Sequence, residues 1–372
     1  MNKSFPFISV YFPDKWSIIF EKAVFQMSPK RQKATITDVA NHAGVSVATV
    51  SRVFNHKGIV NEDTYRQVME SAQALNYQKS AAAPAPIPAD SRRSEKDLLI
   101  INIPSLSNPF YNEIVKGAKA AAELHDYDML LNQGHINEGN LSSIMHMLSR
   151  VNAKGIITLN HLTADVVRTL SASFPLVQCC EFEEYSPVST VGIDDLLSSK
   201  NAMDYILSTG HRKIALVNGP MEYKYARHRK EGYLKALESA GIEVNPDWMI
   251  QLPEINADMA FSSVAKLLTM PNPPDAFFAV SDMCAAAVIR ATKHTNYRVP
   301  EDIIVVGFDN VDISSITMPS ITTVNQPKFQ LGYISCELMH EKLTNPSAET
   351  KHMVLNTELI IRESTAIPVM RG

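Results

Sequence analysis

The chain has 372 residues, of which 45% are hydrophobic and 20% charged, and its formal net charge at neutral pH is −4. A chain of this length exceeds the roughly 250 to 300 residues at which a single core stops growing, so it predicts more than one domain. No apolar run reaches the about 18 residues of a membrane-spanning helix. Pro6, Pro13 and Asp14 interrupt the N-terminal segment, which argues against a secretory signal, and we expect a cytoplasmic protein without a membrane partner.

The charge is unevenly distributed along the chain. Residues 1–82 carry a net charge of +4 and the remainder carries −8. A basic head on an acidic body predicts an anionic partner for the head, although a solvated surface of ordinary composition gives the same modest excess.

The cysteines and histidines indicate neither a disulfide framework nor a metal site. Cys179 and Cys180 are adjacent, Cys284 and Cys336 stand apart, and the chain has no Cys-x-x-Cys or His-Glu-x-x-His spacing. We therefore expect reduced, buried thiols and no bound metal.

Residues 1–33 form an N-terminal extension without clear periodicity, in which Met27 is an alternative start of the protein. Residues 34–77 then predict a three-helix helix-turn-helix domain. Thr35 and Asp38 resemble a capping box before a first helix that ends at Gly44, Ser46 caps a second helix, and Asn61 caps a third. The third helix carries an apolar stripe that we expect to face inward, formed by Tyr65, Val68, Met69, Ala72 and Leu75.

The second helix is the predicted recognition helix, because an α-helix fits the major groove, where base edges can be distinguished. Arg52 suits a bidentate contact with guanine or a contact with phosphate, whereas Val47 and Ala48 offer only apolar contact or steric exclusion. A small helical bundle that binds protein is the alternative. The predicted DNA-contacting residues are Thr35, Ile36, Ser46, Val47, Ala48, Thr49, Ser51, Arg52 and Asn55.

Residues 98–372 alternate short apolar runs such as DLLIINIP, KGIITLN and DIIVVGFD with helical patterns. This alternation predicts an α/β fold in which parallel sheets are covered on both faces. A segment of roughly 270 residues is too long for one such layer arrangement, so we expect two lobes.

Several motifs, in their order and spacing, resemble the LacI/GalR family of bacterial transcription repressors. They are ATITDVANHAGVSVATVSRVFN, NEDTYRQVMESAQALNY, GHRKIALVNGP, RKEGYLKAL, VPEDIIVVGFDN and PSITTVNQP. Within the family, EFEE, LLTMPNPPDAFF and ELIIRESTA are similar to the cytidine-repressor branch. The resemblance implies a core like that of periplasmic sugar-binding proteins, with residues 97–194 and 324–354 in one lobe and 195–323 and 355–372 in the other.

The resemblance also implies a homodimer that binds double-stranded, pseudo-palindromic operator DNA and a nucleoside or sugar effector between the lobes. The implied effector-binding residues are Phe110, Tyr111, Glu181, Arg229, Asp282 and Asp309. Each has an ordinary alternative: the aromatic residues can pack in the core, the arginine can lie on the surface, and an aspartate can form a turn.

Residues 78–97, QKSAAAPAPIPADSRRSEKD, occupy the place of the family's hinge helix, which wedges a leucine into the minor groove. Pro84, Pro86 and Pro88 are incompatible with a helix interior, and no leucine is present, so we expect an extended spacer whose Arg92 and Arg93 approach phosphates. Coupling between effector and DNA is then expected to be weaker or to involve a co-regulator protein.

An enzyme and a binding protein are the rival classes. The sequence has no G-x-G-x-x-G, G-x-x-x-x-G-K-[ST] or G-x-S-x-G motif, so it predicts no enzyme and no cofactor. A periplasmic-type sugar- or nucleoside-binding protein without a DNA role, exported or cytosolic, is the alternative function.

Overall fold

The computed structural model describes residues 35–55, 61–75, 77 and 96–366, which belong to two compact units, residues 1–92 and 93–372. The N-terminal extension and almost all of the predicted spacer, including Arg92 and Arg93, lie outside the described residues. Among the described residues, no helix is both long and apolar enough to cross a membrane.

The described residues of the first unit form three helices, α1 (Ile36–His42), α2 (Val47–Asn55) and α3 (Glu62–Ala74). Thr35 and Asp38 form the predicted capping box, with the Thr35 N–H donating to Asp38 Oδ2 at 2.7 Å. Gly44 has φ +62° in the turn before α2, a conformation that favours glycine. Asn61 Oδ1 accepts from Asp63 N at 3.0 Å, so the predicted cap of α3 is also confirmed.

The small core of this unit corrects one expectation for α3. Val68 and Ala72 are buried as predicted, but Tyr65 and Met69 are each 41% exposed. Because α1 and α2 cover only a narrow stripe of α3, the outer members of the predicted apolar face remain accessible in a single chain.

The amino-terminal lobe of the second unit has a six-stranded parallel sheet in the order β11-β5-β4-β3-β1-β2. Its elements are β1 (Leu98–Ile103), α4 (Phe110–Leu124), β2 (Asp128–Gln133), α5 (Leu141–Arg150), β3 (Ala153–Thr158), α6 (Ala164–Ser171), β4 (Leu176–Cys179), β5 (Ser189–Ile193), α12 (Lys328–Thr344) and β11 (His352–Leu355). The interior strand β1 is buried almost throughout, whereas the edge strand β2 is largely exposed, as expected for a sheet covered on both faces.

The carboxy-terminal lobe has a second six-stranded sheet in the order β12-β10-β9-β8-β6-β7, parallel except for β12. Its elements are α7 (Asp195–Ser208), β6 (Ile214–Asn218), α8 (Lys224–Ser239), β7 (Met249–Gln251), α9 (Ala257–Leu268), β8 (Ala276–Ala279), α10 (Asp282–Thr292), β9 (Ile304–Asp309), α11 (Ile313–Ile316), β10 (Thr322–Asn325) and β12 (Glu358–Ile360). The expected pair of parallel α/β lobes is therefore confirmed.

Within residues 96–366, the chain crosses between the lobes three times, after β5, after β10 and after β11. The second crossing falls just beyond the expected residue 324, because β10 continues to Asn325 in the carboxy-terminal sheet. The crossings lie side by side, since β5 and β11 are neighbours at one edge of their sheet and β10 and β12 are neighbours at one edge of the other. The lobes thus share a three-stranded hinge.

Helices α4 and α12 approach each other closely through two glycines. A Cβ atom on Gly117 would overlap the backbone carbonyl of Phe329, and one on Gly332 would overlap the carbonyl of Ile114. The surrounding core contains Leu331, which is fully buried. Close packing of these two backbones holds α12, which follows the second crossing, firmly within the amino-terminal lobe.

The four cysteines are free thiols, as predicted. Cys179, Cys284 and Cys336 are buried, and Cys180 is half-buried at the end of β4.

Candidate functional sites

The predicted DNA-contacting residues lie at the start of α1 and along α2. Ser46 Oγ accepts from Thr49 N at 3.1 Å, which confirms Ser46 as the cap of α2. Val47, in the first turn of α2, is 42% exposed, so it is available for the apolar contact expected of it. Thr35 is exposed, and Ser51 is half-buried. The side chains of Ile36, Ala48, Arg52 and Asn55 lie outside the described part of the structure.

A cavity of about 340 Å³ opens between the two lobes of the core. Its walls come from the carboxyl ends of strands and the loops that follow them, the usual location of ligand sites in open α/β sheets. Both lobes contribute polar and aromatic side chains, among them Phe110, Tyr111, Glu181, Tyr225, Arg229 and Asp309.

Arg229 of α8 lies buried in the wall of this cavity. Its Nε donates to Asp195 Oδ1 at 2.9 Å, and one terminal nitrogen donates to the Val280 carbonyl at 2.6 Å and to Asp309 Oδ1 at 3.3 Å. The guanidinium carbon is 3.5 Å from the centroid of the Phe308 ring. Arg229 therefore links α7, α8 and the ends of β8 and β9, and its planar group is fixed by contacts on several sides.

A second buried cation neutralises Asp195. Lys224 Nζ donates to Asp195 Oδ2 at 2.6 Å. Burial alone would raise the pKa of Asp195, but the positive charges of Lys224 and Arg229 outweigh it and hold the pKa below its ordinary value. Lys224, Arg229 and Asp195 thus form a buried ionic network that joins α8 to α7.

Asp309 occupies an unusual backbone conformation at the end of β9, with φ +102°. Such a conformation is unfavourable for a residue other than glycine and often marks a functional position. Its Oδ1 accepts from Gln326 Nε2 at 2.7 Å, and Lys328 donates to its backbone carbonyl. Burial raises the pKa of Asp309 despite the opposing charges of Arg229 and Lys328.

Aromatic rings line both sides of the cavity. Phe110 and Tyr111 pack edge to face with ring centroids 5.4 Å apart, and Phe110 also belongs to the core of its lobe. From the other lobe, Tyr223 and Tyr225 are stacked with centroids 5.5 Å apart. Rings on opposite walls can cover both faces of a ligand that is itself flat or ring-shaped.

Glu181 lines the cavity but uses both of its oxygens within the protein. Oε2 accepts from Lys224 N at 2.7 Å and Oε1 accepts from Tyr225 N at 3.3 Å. Burial raises the pKa of Glu181 to about 7, although the charge of Lys224 opposes this shift. Its position at the cavity agrees with the sequence-based expectation, but its hydrogen bonds connect the two lobes.

Asp282 is the predicted effector-binding residue that the structure places elsewhere. Its Oδ2 accepts from Val311 N at 2.8 Å and its Oδ1 accepts from Thr323 Oγ1 at 2.6 Å. The side chain is completely buried and does not line the cavity. Its carboxylate therefore holds the turn after β9.

Several lining residues were missed by the sequence interpretation: His135, Asp195, Tyr223, Tyr225 and Gln326. Tyr223 and Tyr225 lie at the start of α8, shortly after β6, which is the position relative to strand and helix that pointed to Phe110 and Tyr111 at the start of α4. Gln326 follows β10 directly at the second crossing. The same rule, a polar or aromatic residue just after a buried strand, would have found these three.

Two family models match the chain. Bacterial regulatory proteins of the lacI family match residues 35–80, and the periplasmic binding protein-like domain matches residues 203–365. The repressor CytR of Escherichia coli is 29% identical over 347 residues, covering 92% of this chain and all of the relative. The regulator RegA of Clostridium saccharobutylicum is 30% identical over 337 residues, covering 89% of this chain and 99% of the relative.

A solved structure of the regulator CelR in complex with cellobiose has a TM-score of 0.67 and 28% sequence identity, covering 89% of this chain and 99% of that one. With the helix-turn-helix unit and the two-lobed core both matched, the chain belongs to the LacI family of bacterial transcriptional regulators.

Proposed function

We propose that this protein is a transcriptional repressor whose affinity for operator DNA changes when a small molecule binds between the core lobes. One observation carries the proposal. A helix-turn-helix unit with an exposed recognition-helix residue, Val47, shares a chain with a core whose lobes enclose a polar and aromatic cavity. An exported binding protein would have no use for the first of these, which makes that function the weaker candidate.

For the cavity we propose a nucleoside or a sugar as effector. Tyr111 and Tyr225 line the cavity with aromatic rings, and Asp309 offers a carboxylate that accepts hydrogen bonds from hydroxyl or amino groups. Both ligand classes combine a flat or cyclic body with such donors. CelR, which is similar in structure, was solved with the sugar cellobiose, whereas the sequence resembles the cytidine-repressor branch and matches CytR at a similar identity. Similarity to known proteins therefore favours neither ligand class.

For the partners we propose a homodimer that presents two recognition helices to the half-sites of a pseudo-palindromic operator. A dimer of this kind acts in the cytoplasm. We further propose residues 78–97 as the spacer between head and core, with a co-regulator protein as one route by which the effector signal reaches DNA.

An Arg52→Ala variant is expected to bind operator DNA about tenfold more weakly or worse, because a contact from arginine to a base or phosphate is worth about 1 to 3 kcal/mol. Gel-shift titration at fixed salt measures the change. Arg290→Ala serves as the control, since Arg290 pairs with Asp258 on the surface of the core. Undiminished operator binding by Arg52→Ala would exclude Arg52 from the interface, and a wild-type protein without DNA affinity would favour the binding-protein function.

An Asp309→Asn variant is expected to bind the effector at least about tenfold more weakly, because hydrogen bonds to a charged acceptor are worth about 1.5 to 3 kcal/mol. A thermal-shift screen of nucleosides, purines and sugars identifies the ligand, and titration calorimetry gives the two affinities. Asp258→Asn, the same substitution at an exposed position of α9, is the control. Equal affinities of wild type and Asp309→Asn would remove Asp309 from the site.

A further inference from the structure

The first turn of α8 is capped by a residue of the opposite lobe. The N–H groups of a first helical turn have no acceptor within their own helix. In α8 the N-cap residue Tyr223 supplies no side-chain hydrogen bond. Instead, Glu181 at the end of β4 accepts from the N–H groups of Lys224 and Tyr225. A carboxylate of the amino-terminal lobe thus caps a helix of the carboxy-terminal lobe.

The neighbours of Glu181 join the same contact. The Phe182 ring lies 5.0 Å from Lys224 Nζ, and Glu183 Oε1 lies 3.0 Å from a terminal nitrogen of Arg227. Cys180, just before Glu181, has φ +69°, a conformation unfavourable for a non-glycine residue that turns the chain here. Three consecutive residues therefore contact α8, and a rotation about the hinge that opens the cleft would separate these contacts.

We propose that Glu181 is the latch of the cleft: it caps α8 only when the lobes are closed, and so positions Tyr225 and Arg229 opposite the aromatic residues of α4. Glu181 is then a positioning residue and not a direct effector contact. The consequence for effector binding rests on the function proposed above, whereas the closure itself does not. Side chains of the cavity that α8 carries are placed correctly only when both N–H groups have their acceptor.

Closure of the cleft is expected to be accompanied by protonation of the Glu181 carboxylate. Burial raises the pKa of Glu181 to about 7, whereas an open cleft returns the carboxyl to water and to its lower ordinary pKa. A pKa that is higher in the closed state favours closure at low pH, and this contribution is lost as the pH rises through about 7. The titratable groups that face Glu181 are Tyr111, Cys180, Asp195, Tyr223, Lys224 and Tyr225.

These neighbours do not titrate near neutral pH. Burial raises the pKa of Tyr111 and Tyr225, and the pKa of Cys180 is also raised, first by its hydrogen bond with Cys179 and then by burial. Burial raises the pKa of Tyr223 to about 12. Against the effect of burial, the mutual attraction of Lys224 and Asp195 raises the pKa of the first and lowers that of the second. Glu181 is thus the group of this cluster whose charge changes around pH 7.

Residue-resolved hydrogen exchange on the full chain, without effector or DNA, tests the latch. In Glu181→Ala the amides of Lys224 and Tyr225 are expected to exchange about tenfold faster or more, because they lose their acceptor. The amide of Leu197 is the internal reference. Its N–H donates to Asp194 Oδ1 at 2.8 Å, and this acceptor lies only three residues earlier in the chain. Glu184→Gln, an exposed position of the same loop, is the control variant. Small-angle scattering is expected to show a larger radius of gyration for Glu181→Ala than for the wild type, and no change for Glu184→Gln.

Glu181→Gln removes the titratable group but keeps one acceptor oxygen, so it separates the pH dependence of the latch from a general loss of structure. After correction for intrinsic exchange rates, wild-type protection of the two amides is expected to fall roughly tenfold between about pH 6 and about pH 8, while Glu181→Gln stays flat. Unchanged protection and radius of gyration in Glu181→Ala, or the same pH slope in Glu181→Gln, would overturn the proposal. Failure of the effector or operator assays leaves these measurements unaffected, so the two proposals fail separately.

Discussion

A Gly332→Ala variant is expected to lose about 3 kcal/mol of unfolding free energy, because the added methyl group has no room between α4 and α12. Its Cβ would overlap the backbone carbonyl of Ile114, and a backbone atom cannot rotate away as a side chain can. The gain in helix propensity from glycine to alanine, about 1 kcal/mol, is smaller than this cost. Urea titration followed by far-ultraviolet circular dichroism measures the change.

Gly139→Ala is the matched control for this substitution. A Cβ at Gly139 would meet only the side-chain oxygen of Asn137, at 3.2 Å, and Gly139 is exposed. We expect that variant to remain close to wild type. A Gly332→Ala protein as stable as Gly139→Ala would mean that the two helices can separate without loss, contrary to the packing described above.

An Arg229→Met variant is expected to lose about 3 to 5 kcal/mol, the usual cost of removing one partner from a buried ionic network. Methionine preserves apolar contact with Phe308 but leaves Asp309 with neutral Gln326 as its remaining side-chain donor. Asp195 retains Lys224, so most of the cost arises at Asp309. Effector binding should be lost as well. Thermal unfolding and calorimetry on the same preparation measure both effects.

The loss in Arg229→Met is expected to depend on pH in a defined direction. Burial already raises the pKa of Asp309, and removal of the arginine charge raises it further. A folded-state pKa above the unfolded value gives stability that is lost as the pH rises, so the deficit of the variant should be smaller under mildly acidic conditions than above neutrality. Arg298→Met, at an exposed pair with Asp302, is the control and should show no such trend. A deficit independent of pH would argue against Asp309 as its source.

The sequence predicted the elements well where local chemistry determines them. The caps at Thr35, Ser46 and Asn61 are local hydrogen-bonding patterns, and all three are present. Continuous β-branched runs correctly indicated interior parallel strands, because only strands covered on both faces are apolar throughout. The exposure of Tyr65 was not predictable from its periodicity, since periodicity gives the direction of a face but not the width of the surface that covers it.

The candidate site was predictable only in part. Phe110, Arg229 and Asp309 do line one cavity, because the carboxyl ends of parallel strands converge there. Asp282 stands at an equivalent strand end but points to the backbone of Val311, a direction that strand position alone does not define. The partner of Glu181 was also beyond prediction, since the N–H groups of Lys224 and Tyr225 are far away in sequence and belong to another lobe.

The three crossings between the lobes limit what the core can communicate. Because they lie side by side at one sheet edge, sliding and twisting of the lobes are opposed by three covalent connections, and rotation about the common edge remains the permitted movement. In a core with one principal degree of freedom, occupancy of the cavity changes one quantity, the angle between the lobes. Chemically different molecules that close the cleft equally far would therefore be indistinguishable to the rest of the protein, and selectivity must be exercised entirely by the walls of the cavity.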